Sequence, residues 1–201
     1  RDLYADFARE GFKVVRERTQ IEGLKAGKIL GIFSDSHLPY TVDRNHSADL
    51  QAKVPTLAEM AKVAIDNLKG NRNGFLLQIE GGRVDHGGHA NDLAGLLYDQ
   101  LEFEAAVKVA VDFARKDGDT LVIITADHAC GGPALNGAGD EYIEATAGLK
   151  KLGGMKSSYG SIFPLFGSTG NPARVREAVL EKLSIELTEE ESKAVAEASR
   201  G

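Results

Sequence analysis

The sequence predicts an α/β protein with a mostly parallel central sheet and helices on both faces. Two apolar runs of strand length, residues 74–80 (GFLLQIE) and 119–128 (DTLVIITADH), each end in ionisable side chains. A long helical pattern separates them, from Asp92 to Gly118. Unbroken apolar strands joined by a helix are typical of a parallel sheet that is covered on both sides.

Two further strands are predicted upstream, at residues 12–15 (FKVV) and 27–36 (GKILGIFSDS). The second one runs into a long polar segment, residues 37–51, which is predicted to be a loop. Residues 131–171 are rich in glycine and are also expected to be irregular. Loops as long as these are often functional in compact domains.

The predicted helices are marked by their caps. Thr56 and Glu59 form the pattern of a capping box, and apolar residues at helical spacing follow until Gly70. Asp92 is the expected cap of the long helix, and Gly118 is its expected end. Further helices are predicted at residues 2–10, after Asn171–Pro172, and after a second capping box at Thr188 and Glu191.

Composition narrows the class of protein. The 201 residues are enough for one domain, and we predict a single domain over 1–201. The net charge of −6 argues against a nucleic-acid backbone as partner, although bound cations would still allow an anionic substrate. The single cysteine, Cys130, excludes an internal disulfide and leaves the compartment open. No apolar run is long enough to predict a transmembrane segment.

Ionisable side chains cluster where two of the predicted strands end. In open α/β sheets, sites form beyond the carboxyl ends of the strands, so both clusters are expected at one edge. Asp85 and His89 are four residues apart, which places them on one face of a helical turn. Asp127 and His128 are adjacent and can share an ion only if the backbone turns there.

These residue types indicate metal chemistry. Aspartate and histidine without thiolates are typical of catalytic zinc, and a lone carboxylate such as Glu80 suits Mg²⁺. Simpler interpretations stay open: Glu80 could cap a helix, and His86 could be a surface residue. One acid–histidine pair is a weak signal, but two at consecutive strand ends favour a metal site.

The segments "FLLQIEGGRVDHGGHAND" and "DTLVIITADHA" resemble the metal-binding segments of the alkaline phosphatase family. "LGIFSDSHLPYTVDR", "PTLAEMAKVAIDNL" and "EFEAAVKVAVDFARKDG" also resemble family segments in the same order, so the similarity is good from about residue 2 to 130. The resemblance implies an α/β/α sandwich, incomplete here. It also implies phosphomonoester hydrolysis through a phosphoserine, with two Zn²⁺ and one Mg²⁺.

The resemblance also implies individual roles. Glu80 matches the magnesium carboxylate, Asp85 and His89 match two ligands of the first zinc, and Asp127 and His128 match two ligands of the second zinc. His86 occupies the position beside the first zinc ligand, where a residue tunes phosphate and metal contacts indirectly. The expected partner is a small phosphate ester, with a possible homodimer and an extracytoplasmic location.

Several parts of the family's site have no match in this sequence. Ser36 follows an aspartate, but its segment resembles a non-catalytic strand, so no catalytic residue is assigned here and the nucleophilic serine is expected upstream. The phosphate-binding arginine and a third ligand of the first zinc are also missing, since no histidine follows His128. We therefore expect the 201 residues to be the middle-to-late portion of a longer enzyme.

Other functions remain open from sequence. A phosphodiesterase, a sulfatase or another metal-dependent hydrolase of the same superfamily would share the acid–histidine pairs. A non-catalytic metal-binding module on the same scaffold is the alternative of another class.

The missing nucleophile gives a first prediction. The 201-residue chain, incubated with zinc and a chromogenic phosphate monoester, should show no metal-dependent turnover. Release of the chromophore, followed by absorbance, checks this. Robust turnover would mean that the nucleophile lies within these residues.

Overall fold

The structure, a computed structural model, describes residues 2–25, 27–131, 145–167 and 170–199. The chain forms two compact units. The first unit comprises Arg1–Pro39, Ser47–Arg83 and Asp99–Ala129, and the second comprises Tyr40–His46, Val84–Tyr98 and Cys130–Gly201. The single domain expected over 1–201 stays a prediction.

The first unit contains the two strands that pair. Helix α1 (Leu3–Arg9) leads into β1 (Phe12–Val15), a 3₁₀ turn (Arg18–Gln20) follows, and then β2 (Lys28–Gly31). The strands are parallel, with Phe12 opposite Lys28 and Val15 opposite Gly31. The α/β class with parallel pairing is therefore confirmed, although β2 ends at Gly31 and does not continue to residue 36.

The strands predicted at 74–80 and 119–128 are not formed. Among the described residues, the sheet consists of β1 and β2 alone. Both apolar runs leave large side chains in solvent, with Leu76 95% and Leu121 83% exposed. A run of apolar residues favours burial, but a strand also needs a neighbouring backbone with which to share its hydrogen bonds. The described residues thus show one short parallel pair, and the α/β/α sandwich stays a prediction.

Side-chain caps define several helices where the sequence predicts them. Thr56 Oγ1 accepts a hydrogen bond from Glu59 N (3.1 Å), and Glu59 Oε2 accepts one from Thr56 N (2.8 Å). This reciprocal capping box starts α4 (Leu57–Leu68). The same arrangement at Thr188 starts α10 (Glu189–Ala198), and Asn171 caps α9 (Pro172–Leu183). The long helix α6 (Leu93–Asp117) also has its predicted bounds.

The loop predicted at 37–51 is wrong in part. It contains the short helices α2 (Thr41–Asn45) and α3 (Ala48–Lys53). Ser47 starts α3 by accepting a hydrogen bond from Leu50 N. Short helices of this kind are stabilised by caps and packing and show too few periods to be recognised from sequence.

The irregular segment predicted at 131–171 is also wrong in part. It contains α7 (Ala145–Leu152), α8 (Tyr159–Ile162) and a 3₁₀ turn (Phe163–Phe166). Residues 132–144 and 168–169 of this prediction lie outside the described residues.

The core of the second unit is built mainly from α9 and its neighbours. Its buried apolar residues share almost complete exclusion from solvent, and they come from segments far apart in sequence. Its largest fully buried apolar side chains are those of Phe166, Ile162, Val42 and Val175.

Two carboxylates fix the segment that leads into α8. Asp92, only 1% exposed, accepts hydrogen bonds from Gly95 N (2.8 Å) and Tyr159 N (2.6 Å). Asp43 accepts from Ser158 N (2.8 Å) and Ser158 Oγ (2.6 Å). Burial raises the pKa of Asp92 above its ordinary value, and the charge of Asp43 adds to this shift, against the backbone hydrogen bonds that lower it. Asp92 thus links the start of α6 to the start of α8.

Removal of this link should destabilise the protein. Asp92→Ala leaves two backbone N–H groups without their acceptor, so the free energy of unfolding should fall by about 2 kcal/mol. Urea denaturation followed by circular dichroism measures the change. Asp49→Ala is the control, because Asp49 is an exposed partner of Lys53 and its loss should cost under about 0.5 kcal/mol. Equal effects of the two substitutions would contradict the role of Asp92.

The raised pKa of Asp92 predicts a pH dependence. A carboxyl group whose pKa is raised on folding contributes stability below its unfolded value of 3.8, and this stability is lost as pH rises through the folded pKa. The free energy of unfolding of the wild type minus that of Asp92→Asn should therefore decrease as the pH rises above 3.8. Urea titrations across this range test it, and a difference that rises with pH would refute it.

Candidate metal centre

Helix α5 (Gly82–His89) carries the first predicted cluster. A regular helix forms there in spite of its three glycines, so the spacing of four residues does place Asp85 and His89 on one face. His89 Nε2 lies 3.5 Å from Asp85 Oδ1. The His89 side chain is 71% exposed and that of Asp85 is 38% exposed, although Asp85 Oδ1 itself is buried.

The glycines in α5 permit two close approaches. A Cβ atom at Gly87 would lie 2.6 Å from Leu96 N and 2.8 Å from Leu96 Cα, closer than real Cβ atoms approach backbone. A Cβ atom at Gly88 would lie 3.1 Å from both Cys130 Sγ and Gly131 O. Both glycines are buried. Because Gly87 and Gly88 have no side chain, α6 and residues 130–131 can contact α5 directly.

Cys130 joins the cluster from a distant part of the sequence. Its Sγ donates a hydrogen bond to the backbone carbonyl of Asp85 (3.7 Å). One ligand atom from each of Asp85, His89 and Cys130 lies within 4.8 Å of the others. Sequence reasoning missed this cysteine and used it only to exclude a disulfide. The available signal was its position two residues after His128.

The environment of Cys130 favours the protonated thiol. Burial raises the pKa of Cys130, and the negative charge of Asp85 and a hydrogen bond to that residue raise it further. Without a cation between them, a thiolate at Cys130 and the carboxylate of Asp85 would therefore repel each other.

Asp127 and His128 form the second predicted cluster. The chain bends at these two residues, and His128 Nε2 lies 3.3 Å from Asp127 Oδ2. Both side chains are exposed. The bend supplies the condition that adjacent residues need if they are to face one ion.

Glu80 is exposed, and its carboxylate lies beside the start of α5. A Cβ atom at Gly82 would be 3.1 Å from Glu80 Oε1, so glycine at this position leaves room for the carboxylate. His86 is half-buried in α5.

The predicted ligands are divided between the units. Glu80, Asp127 and His128 belong to the first unit, whereas Asp85, His86 and His89 belong to the second. Their convergence on common ions stays a prediction.

The donor set on α5 fits zinc. A carboxylate, an imidazole and a thiol are all ligands that zinc takes, usually three at a time with an open fourth position in catalytic sites. Hard cations such as Mg²⁺ bind oxygen ligands and do not favour a thiol. Glu80 offers the harder donor that Mg²⁺ prefers.

Comparison with known proteins shows the family of the chain. The family model for alkaline phosphatase matches residues 1–186, and the chain belongs to the alkaline phosphatase family. It is 32% identical over its whole length to alkaline phosphatase 4 of Bacillus subtilis, of which it covers 41%. It is 37% identical to alkaline phosphatase 3 of the same organism, over 69% of this chain and 29% of that protein.

Solved structures show the same relationship. The alkaline phosphatase of Thermus thermophilus matches with a TM-score of 0.91 and 35% identity, over 100% of this chain and 42% of that one. A TAB5 alkaline phosphatase mutant, described with Mg bound in its M3 site, matches with a TM-score of 0.56 and 27% identity, over 70% of this chain and 40% of that one. The chain thus spans less than half the length of these relatives. None of the described helices has the length and apolar character needed to cross a membrane.

The close packing of α5 can be tested with a glycine pair. Gly87→Ala should lower the free energy of unfolding by about 1–3 kcal/mol, because the new methyl group meets the backbone of Leu96. Gly148→Ala is the control: it lies in α7 with nothing within 4 Å, and alanine should stabilise that helix by up to about 1 kcal/mol. Thermal denaturation compares the two. Stabilisation by both substitutions would contradict the packing.

Proposed function

We propose that this chain is part of a metal-dependent enzyme that hydrolyses phosphate monoesters. The observation that carries the proposal is the convergence of Asp85, His89 and Cys130 beside α5, in a member of the alkaline phosphatase family. The donor types match a catalytic zinc site, and the exposure of His89 leaves a side open for a small ester.

We assign the ligands as the resemblance implies. Asp85 and His89 hold a first zinc, Asp127 and His128 hold a second zinc, and Glu80 holds magnesium. When bound, such cations polarise the phosphoryl oxygens, activate the attacking oxygen and stabilise the leaving oxygen. The nucleophilic serine that forms the phosphoserine is proposed to lie outside these 201 residues.

The chain's own residues position and charge the site. The backbone of α5 holds the Asp85 carboxylate and the His89 imidazole at a fixed spacing. Cys130 supports this turn through its contact with Gly88 and its hydrogen bond to the Asp85 carbonyl. The carboxylates of Glu80, Asp85 and Asp127 would repel a phosphate dianion by themselves. Their charge therefore makes hydrolysis depend on bound cations, whose positive charge reverses the local field.

His86 has a supporting role in this proposal. It lies on α5 next to Asp85 and is half-buried, so it is placed to adjust the carboxylate without binding metal itself. A homodimer and an extracytoplasmic location remain part of the proposal by family resemblance.

Metal removal and substrate choice test the function. The protein that carries this chain should lose turnover of 4-nitrophenyl phosphate after dialysis against a chelator, and should regain it with zinc and magnesium. Asp85→Asn should lower kcat/KM by about 100-fold or more, since metal-site changes of this kind weaken metal binding or activity strongly. Release of 4-nitrophenol measures both effects.

The control is Asp49→Asn, which removes an exposed carboxylate in α3 and should leave kcat/KM within about twofold of the wild type. Turnover that resists chelation would refute the metal-dependent mechanism. Preference for bis(4-nitrophenyl) phosphate would assign the enzyme to the diesterases.

A further inference from the structure

We propose that Cys130 is a direct metal ligand, so that the ion on α5 is held by a carboxylate, an imidazole and a thiolate from this chain. The proposal deepens the proposed function and rests on it for the roles of Asp85 and His89. It adds a ligand that neither the sequence patterns nor the resemblance assigns.

The spacing of the donor atoms carries the first step. Zinc binds carboxylate oxygen and imidazole nitrogen at about 2.0 Å and thiolate sulfur at about 2.3 Å, so tetrahedral ligands lie about 3.3–3.5 Å apart. His89 Nε2 and Asp85 Oδ1 are 3.5 Å apart, which already matches. All three donor atoms lie within 4.8 Å of one another, so the thiol needs a shift of at most about 1.3 Å to reach the tetrahedral spacing.

The packing of the thiol carries the second step. Cys130 is half-buried against α5, with Sγ directed to the Asp85 carbonyl. Gly88 leaves room for this position, because a Cβ atom there would lie 3.1 Å from the sulfur, a tight contact. The helix face that bears the imidazole and the carboxylate is therefore also the face that has room for the sulfur.

The chemistry of the donors selects the class of ion. A thiolate favours zinc, cobalt or cadmium and excludes Mg²⁺ as the resident ion at this position. On binding, the S–H bond breaks, a metal–sulfur bond replaces one metal–water bond, and the proton passes to the buffer.

A thiol that merely fills space is the simpler interpretation, because free cysteine is often a small buried hydrophobe. The two interpretations differ in what happens to the sulfur when metal is added. A packed thiol stays a thiol, whereas a ligand becomes a thiolate bonded to the ion.

Cobalt substitution provides the test. The metal-free protein that carries this chain is titrated with Co²⁺, and absorption is recorded in the visible and near-ultraviolet ranges. The wild type should develop a sulfur-to-cobalt charge-transfer band together with visible d–d bands. Cys130→Ser should lose the charge-transfer band, keep weak d–d bands, and bind cobalt at this site at least about 10-fold more weakly.

Two controls sharpen the result. His46→Ala removes a histidine whose Nδ1 bonds to the Val42 carbonyl, outside the cluster, and should keep the charge-transfer band. Zinc, but not magnesium, should protect Cys130 from alkylation by iodoacetamide in the wild type, as measured by mass spectrometry.

The outcomes separate this inference from the function on which it rests. Cobalt binding with identical spectra for the wild type and Cys130→Ser would overturn the thiolate ligand and leave the metal-dependent hydrolase intact. Absence of cobalt and zinc binding in every variant would overturn both. Loss of the charge-transfer band in Cys130→Ser alone, together with protection by zinc, supports the proposal.

Discussion

The contact between α5 and the first turn of α6 depends on the absence of a side chain at Gly87. The backbone of Leu96 occupies the space that a methyl group would need, so the two helices meet at a distance that only glycine allows. Interiors are packed too densely for such a contact to be relaxed without cost. The position of the Asp85 and His89 pair follows from it, because both residues lie on the helix that the contact holds.

Carboxylates have two different uses in the second unit. Asp92 and Asp43 accept hydrogen bonds from backbone and hydroxyl groups, and they hold the start of α8 in place. Asp85 is partly exposed and faces an imidazole and a thiol. In the first use, a carboxylate serves as a structural hydrogen-bond acceptor, although burial disfavours its charged form. In the second use, the carboxylate lies beside two other possible metal ligands. Only this second arrangement therefore indicates a metal site.

Much of the local structure could be predicted from sequence, since it depends on interactions between near neighbours. The capping boxes at Thr56 and Thr188 and the helix that follows Asp92 all form at the expected residues. Helix α5 forms as well, although glycines disfavour helices in isolation. Tertiary contact outweighs propensity there, and nothing in the local pattern reports that contact.

The misses concern partners that are distant in sequence. The apolar runs at 74–80 and 119–128 have the composition of strands, but a strand exists only through a neighbour, which no local pattern specifies. Cys130 was missed for a related reason: it comes within reach of Asp85 across 45 positions of sequence. Spacing within one motif finds ligands on a single helix and overlooks a donor that a second segment brings in.

Four aliphatic side chains of the first unit, Leu76, Leu121, Ile123 and Ile124, stand largely in water on backbone that is not paired into strands. Burial of apolar surface is worth about 25 cal/mol per Å², so these positions attract any surface that covers them. Light scattering of concentrated solutions would then detect association between copies of this chain well before circular dichroism detected unfolding. Detergent or dilution should reduce this association more than cooling does, because hydrophobic attraction weakens only gradually as the temperature falls.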